Sequence, residues 1–319
     1  MKITALAGGV GGAKLVDGLA RALPPEQLKV IVNTGDDFEH LGLRICPDLD
    51  TVCYTLAGIA NPETGWGRDE ETWNVMENLA AIGGPAWFRL GDKDLGTHLE
   101  RTRLLAAGMT LSEITSRFCQ SWGIRQEVYP ASDDRMPTYV DTEEGEMPFQ
   151  EYFVKRRCQP RVKGFRFENV EQARPAPGVC EALLAADLVV ICPSNPWVSI
   201  DPILAVPGIR QALSGKAVLA VSPIIGGQAV KGPAAKMYTE FGISPSALAV
   251  AQHYEASMNG GILTGYVMDW RDEDQVEPVR ALGIQALSTE TWMKTMQDRL
   301  QLAEKVLAFA VLLVTSRDD

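Results

Sequence analysis

Histidine is scarce in this chain, with three in 319 residues. No H-E-x-x-H or G-x-S-x-G segment occurs, and no cysteine neighbours a histidine. These absences remove the usual hydrolytic zinc helix and the usual covalent nucleophiles, and they leave direct displacement chemistry in view. The six cysteines, Cys46, Cys53, Cys119, Cys158, Cys180 and Cys192, form no C-x-x-C pair, and several lie in apolar stretches where cysteine acts as a small hydrophobe. A reduced, cytoplasmic protein is expected. Basic charge is also short: the net charge is -11 and the pI is near 4.9, which argues against a nucleic-acid partner. The apolar run at 306–314 is too short to span a bilayer. At the other end, the apolar residues 2–7 run straight into a glycine turn rather than a cleavage site, so no signal peptide is expected. No repeat or low-complexity linker divides the chain, and a single domain over 1–319 follows.

What is present is ordinary for a globular protein, 46% hydrophobic and 22% charged. Short apolar, β-branched runs alternate with amphipathic segments, which predicts a mostly parallel sheet flanked by helices. The patterning puts strands at about 2–7, 28–33, 86–90, 187–192 and 217–222, and helices at about 12–22, 48–59, 69–81, 97–107, 111–122, 178–186, 233–241 and 290–314. From about 125 to 170 the pattern becomes charged and irregular, with a hairpin around Glu143-Glu144-Gly145-Glu146, and an inserted α+β lid subdomain is expected there.

The chemistry concentrates where strands should end, because ligands in open α/β sheets bind beyond the carboxyl ends of the strands. The first such end reads Gly8-Gly9-Val10-Gly11-Gly12-Ala13-Lys14. A Walker A loop needs a hydroxyl residue after its lysine, and Leu15 stands there. The dinucleotide fingerprint starts at Gly9 and Gly11 but meets Lys14 at its third glycine. What remains is a strand, a glycine turn and a helix N-terminus, a general anion site to which Gly9, Gly11, Gly12 and Lys14 contribute. Two acidic pairs follow, Asp36-Asp37 after the second strand and Asp48 with Asp50 at a helix start, and they offer the hard oxygens that Mg²⁺ takes. The segment around Arg89, Asp92, Lys93 and Asp94 adds charges that can meet phosphate or cap a helix, whereas His98, without a ligand neighbour, reads as a structural residue. Ser194 and Asn195, then Ser222 and Gly226, sit in Pro- or Gly-rich turns suited to a nucleotide's phosphates and base. Trp66, Ser132, Asp133, Asp134 and Tyr139 offer further polar and stacking groups.

The ordered set GGVGGAK, NTGDD, RICPDLDTV, WFRLGDKDLGTH, PASDDRMPTYV, FQEYFV, PSNPWVSIDPIL and SPIIGG resembles the 2-phospho-L-lactate transferase family of coenzyme F-420 biosynthesis, from residue 1 to about 265. The resemblance implies a Rossmann-like fold, a transferase of substituted phosphate groups (EC 2.7.8 type) and a Mg²⁺ requirement. It implies transfer of a phospho-three-carbon-acid moiety, 2-phospho-L-lactate or enolpyruvyl phosphate, from a guanosine diphosphate-linked donor to the ribityl hydroxyl of the deazaflavin Fo. GMP leaves, and F-420-0 or its dehydro form results. The motifs are similar to those of bacterial members, which can use the enolpyruvyl donor; one sequence leaves lactate, enolpyruvate and glycerate open. Carried over by motif, Asp50 and Arg89, with Asp92 beside them, bind Fo; Asp36 and Asp50 are the catalytic and metal-binding acids; and a homodimer is expected. Asp50, read as a residue outside the core, is expected to tolerate Asp50→Asn with its fold intact. The alternatives are a non-catalytic UDP-sugar-binding regulator of the same fold, and an oxidoreductase, against which the failed third glycine weighs.

Overall fold

The computed structural model describes residues 1–315. Seven strands form one parallel sheet: β1 (Ile3–Ala7), β2 (Leu28–Val32), β3 (Glu127–Pro130), β4 (Leu188–Ile191), β5 (Ala217–Val221), β6 (Gly265–Asp269) and β7 (Gln285–Thr289). Their order is β7-β6-β5-β4-β1-β2-β3, and every neighbouring pair is parallel. Every residue of β1, β4 and β5 is buried, as continuous apolar runs must be when helices cover both faces.

One face packs Leu6, Ile31, Val189, Ile191 and Val218 against Val179, Leu183 and Ile203. The other packs Ala5, Val30, Val32 and Val190 against Leu15 and Leu19 of α1 (Gly9–Ala22) and against Leu302 and Val306 of the helix Met296–Thr315. Each buried aliphatic side chain stabilises the fold by roughly 1.5–3 kcal/mol, so the strand ends are held on a rigid platform. The chain order reverses between β1 and β4, which places the ligand crevice of an open sheet beyond their carboxyl ends.

Before β3 the chain also forms a short antiparallel hairpin, Phe38–His40 with Leu43–Ile45, a 3-10 turn at Pro25–Gln27, and the helices α2 (Pro47–Leu56), α3 (Asn74–Ala81), α4 (Asp92–Ala106) and α5 (Leu111–Ser121). Residues 138–167 carry a separate three-stranded antiparallel sheet, Thr138–Thr142, Gly145–Pro148 and Val162–Phe167. Val140, Phe149, Tyr152 and Val162 form its small core with Val198 and Met237.

Several boundaries differ from the sequence expectation. Residues 86–90 form no strand: Trp87 and Phe88 turn onto Phe38 and His40 in an aromatic cluster, with Phe38 and Phe88 ring centroids 4.8 Å apart. The place beside β2 belongs to β3, which starts inside the stretch read as irregular. The segment read as helix from 69 is helical only from Asn74, because the Asp92 carboxylate accepts from the Asn74 and Val75 amides and caps that end. α4 starts at Asp92 rather than 97 because Glu71 accepts from the Lys93 and Asp94 amides. The last helix starts at Met296, where Asp298 accepts from the Lys294 and Thr295 amides. The helix Ala247–Tyr254 and strands β6 and β7 were not foreseen. No described helix is long and apolar enough to cross a membrane.

Candidate active site

β2 ends by delivering Asn33, a fully buried amide that organises the crevice floor. Its Nδ2 reaches Asp36 Oδ1 at 3.1 Å, Asp48 Oδ2 at 2.9 Å and the Val198 carbonyl at 3.0 Å, while its Oδ1 accepts from the Gly35 amide at 2.8 Å. Only a primary amide supplies donors and an acceptor together in so small a volume. Asp48 lies in the first turn of α2, after Pro47, where the helix dipole favours an acid. Asp36 and Asp48 therefore share one buried site. Burial raises the Asp36 carboxyl well above the carboxylate range, and the charge of Asp48 raises it further. Burial likewise pushes Asp48 up to about 6, against the opposing hydrogen bonds from Asn33 and the Gly9 amide.

The glycine turn closes over this pair. A Cβ on Gly8 would stand 2.5 Å from Asp48 Oδ2 and 2.7 Å from Ser199 Cβ, and one on Gly11 would stand 2.3 Å from the Pro193 carbonyl. Neither position has room for a side chain, so the turn is glycine-rich because two neighbouring loops press against its backbone. Ser194 stitches those loops together: its hydroxyl donates to the Gly8 carbonyl at 2.8 Å and accepts from the Gly8 amide at 3.2 Å. The Lys14 ammonium donates to the Met293 carbonyl at 2.7 Å. Its proton affinity is lowered by burial and then by the Arg299 and Lys231 charges.

Asp50, two residues along α2 from Asp48 and so roughly on the opposite face of the helix, points elsewhere. Arg101, 1% exposed, grips its carboxylate with both terminal nitrogens, one at 3.1 Å from Asp50 Oδ2. The guanidinium also donates to the Arg44 carbonyl at 3.3 Å and lies 3.1 Å from His98 Nδ1. Since arginine only donates, His98 accepts at Nδ1 and carries its proton on Nε2, which faces Asp94 at 3.4 Å. Tyr54 donates to Asp94 at 2.7 Å. The ligand atoms of Asp50, Asp94 and His98 lie within 4.8 Å of one another, but the Arg101 guanidinium already supplies the cation of this cluster. The expectation that Asp50→Asn leaves the fold intact is corrected here, because the change would strand a buried guanidinium. The structure thus brings Asp36 together with Asp48 and sets Asp50 in an ion pair beside them.

A model of the 2-phospho-L-lactate transferase CofD family matches residues 3–292. The chain belongs to that family. It is 45% identical over 317 residues to the phosphoenolpyruvate transferase of Streptomyces griseus subsp. griseus, covering 97% of this chain and 98% of that one. With the protein of the same name from Thermobifida fusca it shares 46% identity over 289 residues, covering 86% and 88%. A solved UPF0052-family protein from Bacillus halodurans has the same fold, with a TM-score of 0.62 at 17% identity over 96% of this chain and 98% of the other. In this CofD-family transferase the remaining motif residues are engaged in local contacts. Arg89 is exposed and stacks on Trp73, 4.1 Å from guanidinium to ring centroid. Asp92 takes hydrogen bonds from Thr72, Asn74 and Val75, which lower its carboxyl to about 2 and make it a cap for α3. Asn195 Oδ1 accepts from the Trp197 amide at 3.1 Å. Ser222 bonds within its own turn to Ile224, and the Gly226 amide donates to Asp272. Asp133 is spent on Ser112. Sequence reasoning missed Asn33 and Arg101; the D-x-x-x-H-x-x-R spacing of Asp94, His98 and Arg101 on one helix face was the available signal for the second.

Proposed function

We propose that this CofD-family transferase moves a phospho-three-carbon-acid moiety from a guanosine diphosphate-linked donor to the ribityl hydroxyl of Fo, releasing GMP. The observation that carries this reading is the buried Asp36–Asp48 pair beneath the glycine turn of α1. Two carboxylates forced together in a buried site, both held above their usual range, fit a hard divalent cation. Asp36 and Asp48 would hold Mg²⁺ there, in place of the Asp36 and Asp50 set expected from the motifs. When bound, the ion neutralises charge on the donor's diphosphate. The amides at the start of α1 and the Lys14 charge favour the same diphosphate. The loops after β4 and β5, with Asn195 and Gly226, suit the nucleotide, and Asp50 and Arg89 on the other side of β1 suit the deazaflavin. The ribityl oxygen would attack the distal phosphorus, the bond to GMP would break, and the hydroxyl proton would leave to solvent, the acid pair being occupied as metal ligands. The name shared by the Streptomyces griseus and Thermobifida fusca relatives favours the enolpyruvyl donor.

The test is a titration of Fo fluorescence with purified protein, with and without Mg²⁺ and GDP. Saturable Fo binding that responds to both, followed by turnover with the enolpyruvyl donor, is expected. Absence of Fo binding, with tight binding of a UDP-sugar, would overturn the reading.

A further inference from the structure

Asp50 and Arg89 lie far apart in sequence, on α2 and on the loop before α4. One face of α4 ties their surroundings together. Asp94, His98 and Arg101 stack along that face at helical spacings of four and three residues, and all are buried. At its upper end the column is anchored to the loop that carries Trp73: Glu71 accepts from the Lys93 and Asp94 amides at 2.8 Å, and Asp92 accepts from the Thr72 hydroxyl at 2.6 Å. Trp73 is the ring on which Arg89 rests. At its lower end Arg101 forks onto Asp50, and His98 and the Arg44 carbonyl fix the plane of that fork.

We infer that Arg101 and His98 are positioning residues for the acceptor, setting the geometry of Asp50 relative to Arg89 through α4. The inference rests on the reading of Asp50 and Arg89 as the deazaflavin-binding groups. A planar two-nitrogen fork fixes both oxygens of a carboxylate, whereas an ammonium fixes one and leaves the carboxylate free to rotate.

The experiment compares wild type, Arg101→Lys and His98→Gln, all with Mg²⁺, by Fo fluorescence titration, GDP binding and steady-state kinetics normalised to folded protein. Arg101→Lys keeps the charge and is expected to raise KM for Fo about tenfold or more, with GDP affinity and normalised kcat at saturating Fo little changed. His98→Gln, which can still accept from Arg101, is expected to shift KM for Fo in the same direction by a smaller factor. A merely structural role would lower the folded fraction and leave KM untouched, and that result overturns the inference. Unchanged KM and kcat in Arg101→Lys overturns it as well. If wild type itself fails to bind Fo, the functional reading falls and the inference falls with it; if wild type binds and both variants bind equally, only the inference falls.

Discussion

Asn33 and Asp48 are joined by a 2.9 Å hydrogen bond across the floor of the crevice, and the same amide nitrogen reaches Asp36 at 3.1 Å. One neutral side chain thus holds two buried carboxylates together. Their mutual repulsion and burial are a standing cost of the metal-free protein, and the pH dependence of stability follows from it.

Asp48 rises from 3.8 to about 6 on folding, burial being the main cause. An acid raised in the folded state binds more protons folded than unfolded within that window, so the metal-free protein loses stability as pH climbs from about 4 to 6. The loss is on the order of 3 kcal/mol for a shift of this size. Urea unfolding of wild type and Asp48→Asn at pH 4.5 and 7.5, without metal, is the check. The variant is expected to lose the Asp48 share of the slope while keeping that of the buried Asp36, to be the more stable protein at the higher pH, and to be inactive. Parallel slopes in the two proteins would remove Asp48 from the account. Saturating Mg²⁺ is expected to flatten the wild-type slope and leave the variant unmoved.

Asp50→Asn leaves Arg101 buried without its partner. Stability is expected to drop by about 3–5 kcal/mol in denaturant unfolding. The double change Asp50→Asn with Arg101→Met removes the stranded charge and is expected to recover a substantial part of that loss, although not activity. A single variant within about 1 kcal/mol of wild type would contradict the buried ion pair.

Gly8→Ala puts a methyl 2.5 Å from Asp48 Oδ2 and 2.7 Å from Ser199 Cβ. It is expected to destabilise by about 1–3 kcal/mol and to displace Asp48, so the Mg²⁺ concentration needed for half-maximal turnover should rise. Gly96→Ala is the control, since that glycine lies inside α4 with nothing within 4 Å of the added carbon. It is expected to stabilise by roughly 0.5–1 kcal/mol with normal activity. Equal melting temperatures and metal dependence for the two variants would refute the close contact.

The parallel sheet was legible because β4 and β5 are continuous apolar runs bounded by turns, a local signal. β7 was not, since Gln285-Ala-Leu-Ser-Thr289 has only two apolar residues and gains its place by pairing with β6. The false strand at 86–90 shows the converse: Trp87 and Phe88 carry strand propensity that an aromatic cluster with Phe38 and His40 overrides. Among the candidate site residues, strand-end position marked Asp36 and the glycine turn, and the structure packs both around the buried Asp48. It could not say which acids face one another, because Asp48 and Asp50 are two residues apart on one helix and diverge by the helical twist. Whether an acid meets Asn33 or Arg101 is decided by packing between distant segments.

Every group assigned to the acceptor, with the acid pair, lies between the end of β2 and the start of β3, whereas the loops assigned to the nucleotide follow β4 and β5. Residues 33–126 are therefore a single cassette, entering and leaving the sheet through adjacent parallel strands. Such an arrangement lets one contiguous exchange of coding sequence replace the acceptor half of the crevice, with the glycine turn and the donor loops kept as the constant part. Because the acid pair travels inside the same cassette, such an exchange has to keep Asp36 and Asp48 while it changes the surroundings of Asp50 and Arg89.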